Sequence, residues 1–286
     1  MKPISIRFLL LFGSIFLFSG CDKIEGPYFK EDNTVNTTVE FPEVNPDTLI
    51  RKILIEEYTA QQCQNCPTQG HIPLAQLLET YGNKLVAVCI HAGSLARPDL
   101  IPPFDYDFRT ELGDVLYNDY VIAGGSGIPC AVVNRTQYNN VFPLANSNWE
   151  AAIQNIDTQL YAGIQIINEY DNNILTTHLK STFYKNYSNK VILSVILIED
   201  SFVSPQLDGS TTIENYTHNH VLRTSLNGIQ GSYLNENGFV EKDSSYVKSY
   251  QLNFTDHDWT KSNCRIIAIL YDETTQEVLQ TEISPL

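Results

Sequence analysis

The chain is 286 residues long, with 33 acidic side chains against 18 basic ones and a formal net charge of −15. Such a surface repels nucleic acid and anionic membrane faces, which excludes both as expected partners. Setting Cys21 aside leaves five of the six cysteines, an odd number that cannot pair completely within the chain, so a disulfide framework is excluded and stability must come from a packed core.

Residues 1–20 have the three-part pattern of a secretory signal: Lys2 and Arg7, an apolar run over residues 8–18, then Ser19 and Gly20 before Cys21. The run is shorter than the roughly 20 residues that cross a bilayer core. Phe18-Ser19-Gly20-Cys21 resembles a bacterial lipobox, with Phe18 where Leu is usual, and predicts lipidation of Cys21. Ordinary cleavage beside an unmodified cysteine is the alternative. Lipid chains contribute about 0.8 kcal/mol per buried methylene, so the expected product is held to a membrane by its N-terminal lipid rather than by a spanning helix. About 266 residues remain after cleavage, a length that suggests two globular units.

Residues 21–50 are rich in Asn, Thr, Glu, Asp and Pro, without an apolar period, and read as a flexible tether. Asp47-Thr48-Leu49 within it fits a short acceptor pattern for protein O-glycosylation, or simply a turn. Residues 51–160 alternate strand and helix signals: a buried strand over 53–58, a helix over 67–80 and an apolar strand within 84–91, which together make a βαβ unit. A Pro-rich stretch follows at 97–103, then a helical pattern over 106–120, a Gly-rich turn at 124–127 and a strand over 130–134. Residues 138–142 are its expected hairpin partner, and residues 149–160 have helical spacing with Asn146 or Ser147 as the cap. From 161 to 286 the texture changes to short strands separated by Asn, Asp and Ser, at 164–168, 174–179, 191–198, 221–226, 246–254 and 265–271, a pattern that predicts an all-β sandwich.

The chemistry-bearing motif is Cys63-Gln64-Asn65-Cys66. It follows a predicted strand and begins a helix, where unpaired backbone N–H groups and the helix dipole favour a thiolate. Cys63, at the expected open helix edge, is the candidate nucleophile, and Cys66, one turn inward, the resolving thiol. In an oxidising compartment the pair is expected to rest as a disulfide, either redox-active or purely structural. A zinc site would need two further ligands, and no second CxxC or close His pair accompanies this one, so no metal and no cofactor is expected.

Strand, CxxC, helix, strand, helix, Ile-Pro, hairpin and helix in that order resemble the thioredoxin superfamily. The resemblance implies that Gly127-Ile128-Pro129 carries a cis-proline beside the disulfide, with Ile128 offering backbone groups to a substrate. It also implies that Glu57, six residues before Cys63, is a buried acid that relays a proton to Cys66. Strand alternation leaves Glu56 as the competing inward residue, or both at a solvent-facing strand end. More specifically, the segment from Ile55 to Pro67, the strand end Val133-Asn134-Arg135 and the stretch from Tyr216 to Arg223 are similar to the outer membrane protein 28-related lipoproteins of Bacteroidetes. That family implies an outer-membrane lipoprotein, periplasmic or surface-exposed, with a thioredoxin-like domain at 51–160 and a β-sandwich at 161–286, and with no assigned substrate. Gln62, Gln64 and Asn65 depart from the Trp and Gly-Pro of a thioredoxin reductant.

His218 and His220 alternate along a strand and could share a metal face, though hydrogen bonding is the simpler role. His71 reads as a surface residue. Cys89 and Cys264 read as core residues, while Cys130, next to Pro129, either approaches the cysteine pair or lies on the opposite face. Two functions follow. One is thiol–disulfide exchange on exported proteins, with Cys63 attacking, Cys66 resolving, Glu57 moving the proton and Pro129 shaping the groove. The other is a binding module that uses the fold as scaffold and the sandwich to recognise an envelope partner.

Overall fold

A computed structural model describes residues 35, 39–235, 238–255 and 257–286. The expected signal, the lipidation at Cys21 and the first part of the tether lie outside them. Within the tether, Pro46–Thr48 form a single 3-10 turn whose start is closed by Asn45 Oδ1 accepting from the Asp47 amide at 3.0 Å.

Strand β1 (Ile53–Thr59) leads into the cysteine loop and then a π turn, Pro67–His71, continuous with helix α1 (Ile72–Tyr81). Pro73 accounts for that irregular start, since it lacks an N–H and its ring would clash with the carbonyl four residues back in a regular helix. β2 (Leu85–His91) runs parallel to β1, as a βαβ unit requires. The expected helix over 106–120 is shorter. Thr110 Oγ1 accepts from the Gly113 amide at 3.0 Å and starts α2 (Glu111–Leu116), which continues as a π turn, Tyr117–Ile122. β3 (Cys130–Val133) pairs antiparallel with β1. Its hairpin partner is the single residue Leu144, bridged to Ala131, rather than a strand at 138–142. Helix α3 (Trp149–Asn155) stops at Ile156, where the backbone turns extended, five residues before the expected end is complete, and neither Asn146 nor Ser147 caps it by a side-chain hydrogen bond.

The later strands are β4 (Ala162–Asp171), β5 (Ile174–Phe183), β6 (Val191–Glu199), β7 (Phe202–Asp208), β8 (Thr211–His218), β9 (Val221–Ser225), β10 (Ser232–Tyr233), β11 (Ser245–Asn253), β12 (Cys264–Asp272) and β13 (Val278–Pro285). Asn172 and Asn173, both at positive φ, make the two-residue turn between β4 and β5. β11, β5 and β4 form one sheet, and β7 with β8 forms a separate hairpin.

The remaining strands join the two halves of the chain. The order β13-β12-β6-β9-β2-β1-β3 makes one continuous sheet across both halves, β9 joining β2 where the Cys89 amide donates to the His220 carbonyl at 2.7 Å. β6 shows why the halves cannot be parted cheaply. Val191, Leu193, Val195 and Leu197 pack with β4, β5 and β11 on one face, while Ile196 and Ile198 pack with Leu54, Tyr58 and Val88 on the other. Burial on both faces turns such a strand into a continuous apolar run. Polar clamps reinforce the joint. Asn134 Nδ2 donates to the Val278 carbonyl at 2.8 Å, and the buried Arg135 pairs with Glu56 at 2.7 Å while lying 4.9 Å over the Tyr271 ring. The structure is therefore a mixed α/β part continuous with β-rich sheets, and the described residues form one compact unit.

Candidate functional site

The site is built where β1 ends. The Cys63 amide donates to Ala60 O at 3.1 Å and the Cys66 amide to Cys63 O at 3.3 Å, a tight turn that brings the two Cα atoms to 5.4 Å and closes the Cys63–Cys66 disulfide at the helix start. Ile128 packs against the cluster of Ala60, Cys63, Cys66 and Ala96, and its bond to Pro129 is cis. The loop before β3 and the cysteine loop thus meet at the disulfide.

Glu56 and Glu57 are both buried, on opposite faces of β1, so neither sits at a solvent-facing strand end. Glu56 is neutralised by Arg135. Glu57 faces α1, and the Cys89 thiol donates to its Oε2 at 3.1 Å. Burial pushes the Glu57 pKa up to about 8, partly offset by that hydrogen bond. Gly70 makes room for it: a Cβ there would fall 2.2 Å from Glu57 Oε1 and 3.2 Å from Pro129 Cβ. Gly70, on the turn that follows the disulfide, thereby lies close to both Glu57 and Pro129, although the hydrogen-bond partner of Glu57 is Cys89 and not Cys66.

His71 is not the surface residue expected of it. Its Nε2 lies 3.0 Å from Thr59 Oγ1 and 3.7 Å from Glu57 Oε1, and its Nδ1 lies 2.5 Å from the Tyr216 hydroxyl. Burial lowers its pKa to about 4 and that of His218 to about 3, so both rings are neutral at neutral pH. His220 sits apart from His218, turned by a positive φ toward Asp200 at 3.2 Å. Among the described residues no group of three or more His, Cys, Asp or Glu side chains is arranged to hold a metal ion. Cys130 lies in the core on the α2 side of the sheet and Cys89 in the core on the α1 side, while Cys264 packs in the β-rich core.

The largest departure from the sequence reading is the cover over the disulfide. Cys63, expected at an open edge, is only 3% exposed and Cys66 is fully buried. The β7–β8 hairpin, which the strand pattern did not predict, is the cause. Leu207 N donates to Gln61 O at 2.8 Å, Gly209 N to Gln64 O at 2.9 Å, and the buried Gln206 sends its Nε2 to Ala60 O and Cys63 O, each at 3.2 Å. One signal for it exists: Gly209-Ser210, with Gly209 at φ +57°, is a two-residue hairpin turn of the kind that wants Gly first.

A buried disulfide loop, a neighbouring cis-proline and a covering hairpin on a mixed sheet define a CxxC-bearing α/β protein extended by β-sheets. The outer membrane protein Omp28 family model matches residues 115–284, more than half of the chain, and the chain belongs to that family. Its place is accordingly the outer membrane of the cell envelope. Among described residues no helix is long and apolar enough to cross a membrane. No curated protein matches the chain. Of solved structures, HBP35 of Porphyromonas gingivalis is similar over 84% of this chain and 76% of its own, with TM-score 0.63 and 13% identity, a likeness of fold alone. A domain of the outer membrane lipoprotein Omp28 from the same organism matches over 44% of this chain and 88% of its own, at 22% identity and TM-score 0.30. The E. coli curli protein CsgC matches over 44% and 99%, at 10% identity and TM-score 0.22.

Proposed function

We propose that this is an envelope lipoprotein, anchored through lipid on Cys21, whose Cys63–Cys66 pair exchanges disulfides with exported thiol proteins. In this reading residues 51–160 are thioredoxin-like and the later strands form a sandwich. The parallel β1–β2 pair joined through α1, with β3 antiparallel beside β1, supports the first half of it. The observation that carries the function is the conjunction of the disulfide at a helix start, cis Pro129 beside it and the buried Glu57 with a pKa near neutrality. A partner thiolate attacks Cys63 Sγ, the Cys63–Cys66 bond breaks and Cys66 leaves with the electron pair. Cys66 takes up a proton, which in this reading is relayed from Glu57. In the reverse direction Cys63 attacks a partner disulfide and Cys66 resolves it. Ile128 supplies the backbone against which an extended partner lies. Exchange by this route requires the β7–β8 hairpin to lift.

That cover favours a second reading, in which the disulfide is structural and the protein is a binding scaffold. A redox titration of the pair, combined with trapping of mixed disulfides on Cys63 in a Cys66→Ser variant, separates them. Exchange predicts trapped partners and a potential in the range of disulfide oxidoreductases. A potential below about −300 mV with no trapped species supports the scaffold.

A further inference from the structure

Behind the disulfide helix, between α1 and the β8–β9 corner, lies a cavity of about 260 Å³. The exchange reading does not use it. Its wall on the α1 side is apolar, with Ile72, Ala75 and Leu78, and the facing side carries Cys89, His91 and His218. His91 is only 2% exposed, and neither of its ring nitrogens has a hydrogen-bond partner. A buried imidazole with both nitrogens unpaired, lining a cavity, offers hydrogen-bonding groups to a guest, since buried polar groups are as a rule paired. Both ring nitrogens of His218 are likewise without a hydrogen-bond partner, as is Oε1 of Glu57, the carboxyl that accepts from the Cys89 thiol.

The lining selects the ligand. Burial holds His71, His91 and His218 neutral, so a charged guest would find no counter-charge in the cavity. The volume is below the 300–1,000 Å³ or so of drug-sized pockets, which limits the guest to a small molecule. The thiol is the one lining group that can exchange with a disulfide. Burial first, and the neighbouring Glu57 carboxyl second, hold its pKa well above the usual thiol range, so it attacks only as its proton passes to Glu57 Oε2, the acceptor it already faces at 3.1 Å.

We infer that this cavity admits a small uncharged disulfide, which Cys89 captures as a mixed disulfide. Cys89 Sγ attacks one sulfur of R–S–S–R, the S–S bond breaks, and Cys89–S–S–R forms. The Cys89 proton passes to Glu57 Oε2 and then to the departing RS⁻, which leaves as RSH. The step needs no further oxidant or reductant. Glu57 must be ionised to accept the proton, so capture quickens as pH rises through about 8. The groups that face this carboxyl are Cys89 from β2 and His71 from the π turn, with Tyr216 of β8 and Cys130 of β3 within its field.

The test uses the native, oxidised protein and bis(2-hydroxyethyl) disulfide as the probe, with peptide mass spectrometry reporting each free thiol. Cys89, Cys130 and Cys264 are all buried, yet only Cys89 borders this cavity. Cys89 should be modified about tenfold or more faster than the other two, whose reaction requires wider opening of the fold. Dianionic dithiobis(nitrobenzoate) should lose that preference. Ala75→Trp or Ile72→Trp, both at exposed positions of the lining, should slow Cys89 about fivefold or more while Cys130 and Cys264 are unchanged, as expected of a blocked local path. Equal rates at all three thiols, or a Cys89 rate indifferent to both Trp variants, would overturn the inference. Because Cys63 and Cys66 stay oxidised throughout, failure here and failure of the proposed exchange are distinguishable.

Discussion

Gln206 is where the cover over the disulfide can be loosened without touching either cysteine. Its side chain is fully buried and spans from the β7–β8 hairpin to Ala60 O and Cys63 O. A buried hydrogen bond has a net worth of about 0.5–1.5 kcal/mol, so Gln206→Ala should weaken the hairpin's seat by about 1–3 kcal/mol. The backbone bonds from Leu207 and Gly209 remain, so the hairpin still docks, only less firmly. If lifting precedes reduction, a loss of about 2 kcal/mol makes the open state about 30-fold more populated. Reduction of Cys63–Cys66 by dithiothreitol, quenched with iodoacetamide and followed by mass spectrometry, should accelerate by about that factor. Hydrogen exchange at the Leu207 and Gly209 amides reports the lifting directly. Faster amide exchange with an unchanged reduction rate would show that the hairpin does not guard the disulfide, and the reasoning fails.

The charge state of Glu57 predicts a pH signature. Its pKa rises from 4.5 to about 8 on folding, so its contribution to stability is full below pH 4.5 and is lost as pH rises through 8, whereas the lowered pKa values of His71 and His218 cost stability as pH falls below 6.5. Chemical denaturation should therefore show a maximum near pH 6.5, and Glu57→Gln should remove a slope of about 1.4 kcal/mol per pH unit on the alkaline side; a slope that persists would assign it to another group. Gly70→Ala places a Cβ against Glu57 Oε1 and Pro129, and should destabilise by about 1–3 kcal/mol in thermal melts. Adding Glu57→Ala to it should restore part of that loss, and a purely additive double variant would place the strain elsewhere. Cys21→Ser should abolish incorporation of labelled fatty acid, and unchanged labelling would exclude Cys21 as the anchor.

The parts of the fold legible in the sequence are those whose partners are close along the chain. β1, the helix after the cysteines and β2 announce themselves because one apolar run, one helical period and a second apolar run sit within residues 53–91. The joint between the halves does not. Nothing local to Val221 says that it will lie beside Cys89, since that pairing closes a loop of over a hundred residues and is decided by the shared core. The same distance explains the misjudged exposure of Cys63. A CxxC pattern specifies the turn and the helix start, which are local, but solvent access there depends on Gln206 and Leu207, which reach it from the far side of the chain.

The segments that resemble the Omp28-related lipoproteins bear on this point. Asn134 and Arg135 tie β3 to β13 and β12, and Arg223 on β9 makes a buried pair with Glu199 of β6. A buried pair broken on one side costs about 3–5 kcal/mol, so Arg223 locks β9 to β6, and its Nη1 also donates to the Tyr106 hydroxyl of the first half at 2.9 Å. His220 supplies the carbonyl that joins β9 to β2, while Tyr216 and His218 carry the hairpin's end toward His71. The motif stretch that invited a metal reading is thus chiefly the seam that positions a cover over the disulfide and closes a cavity behind it. Chemistry at Cys63 and chemistry at Cys89 are both conditioned by that seam, one through the hairpin that must lift and the other through the wall it completes.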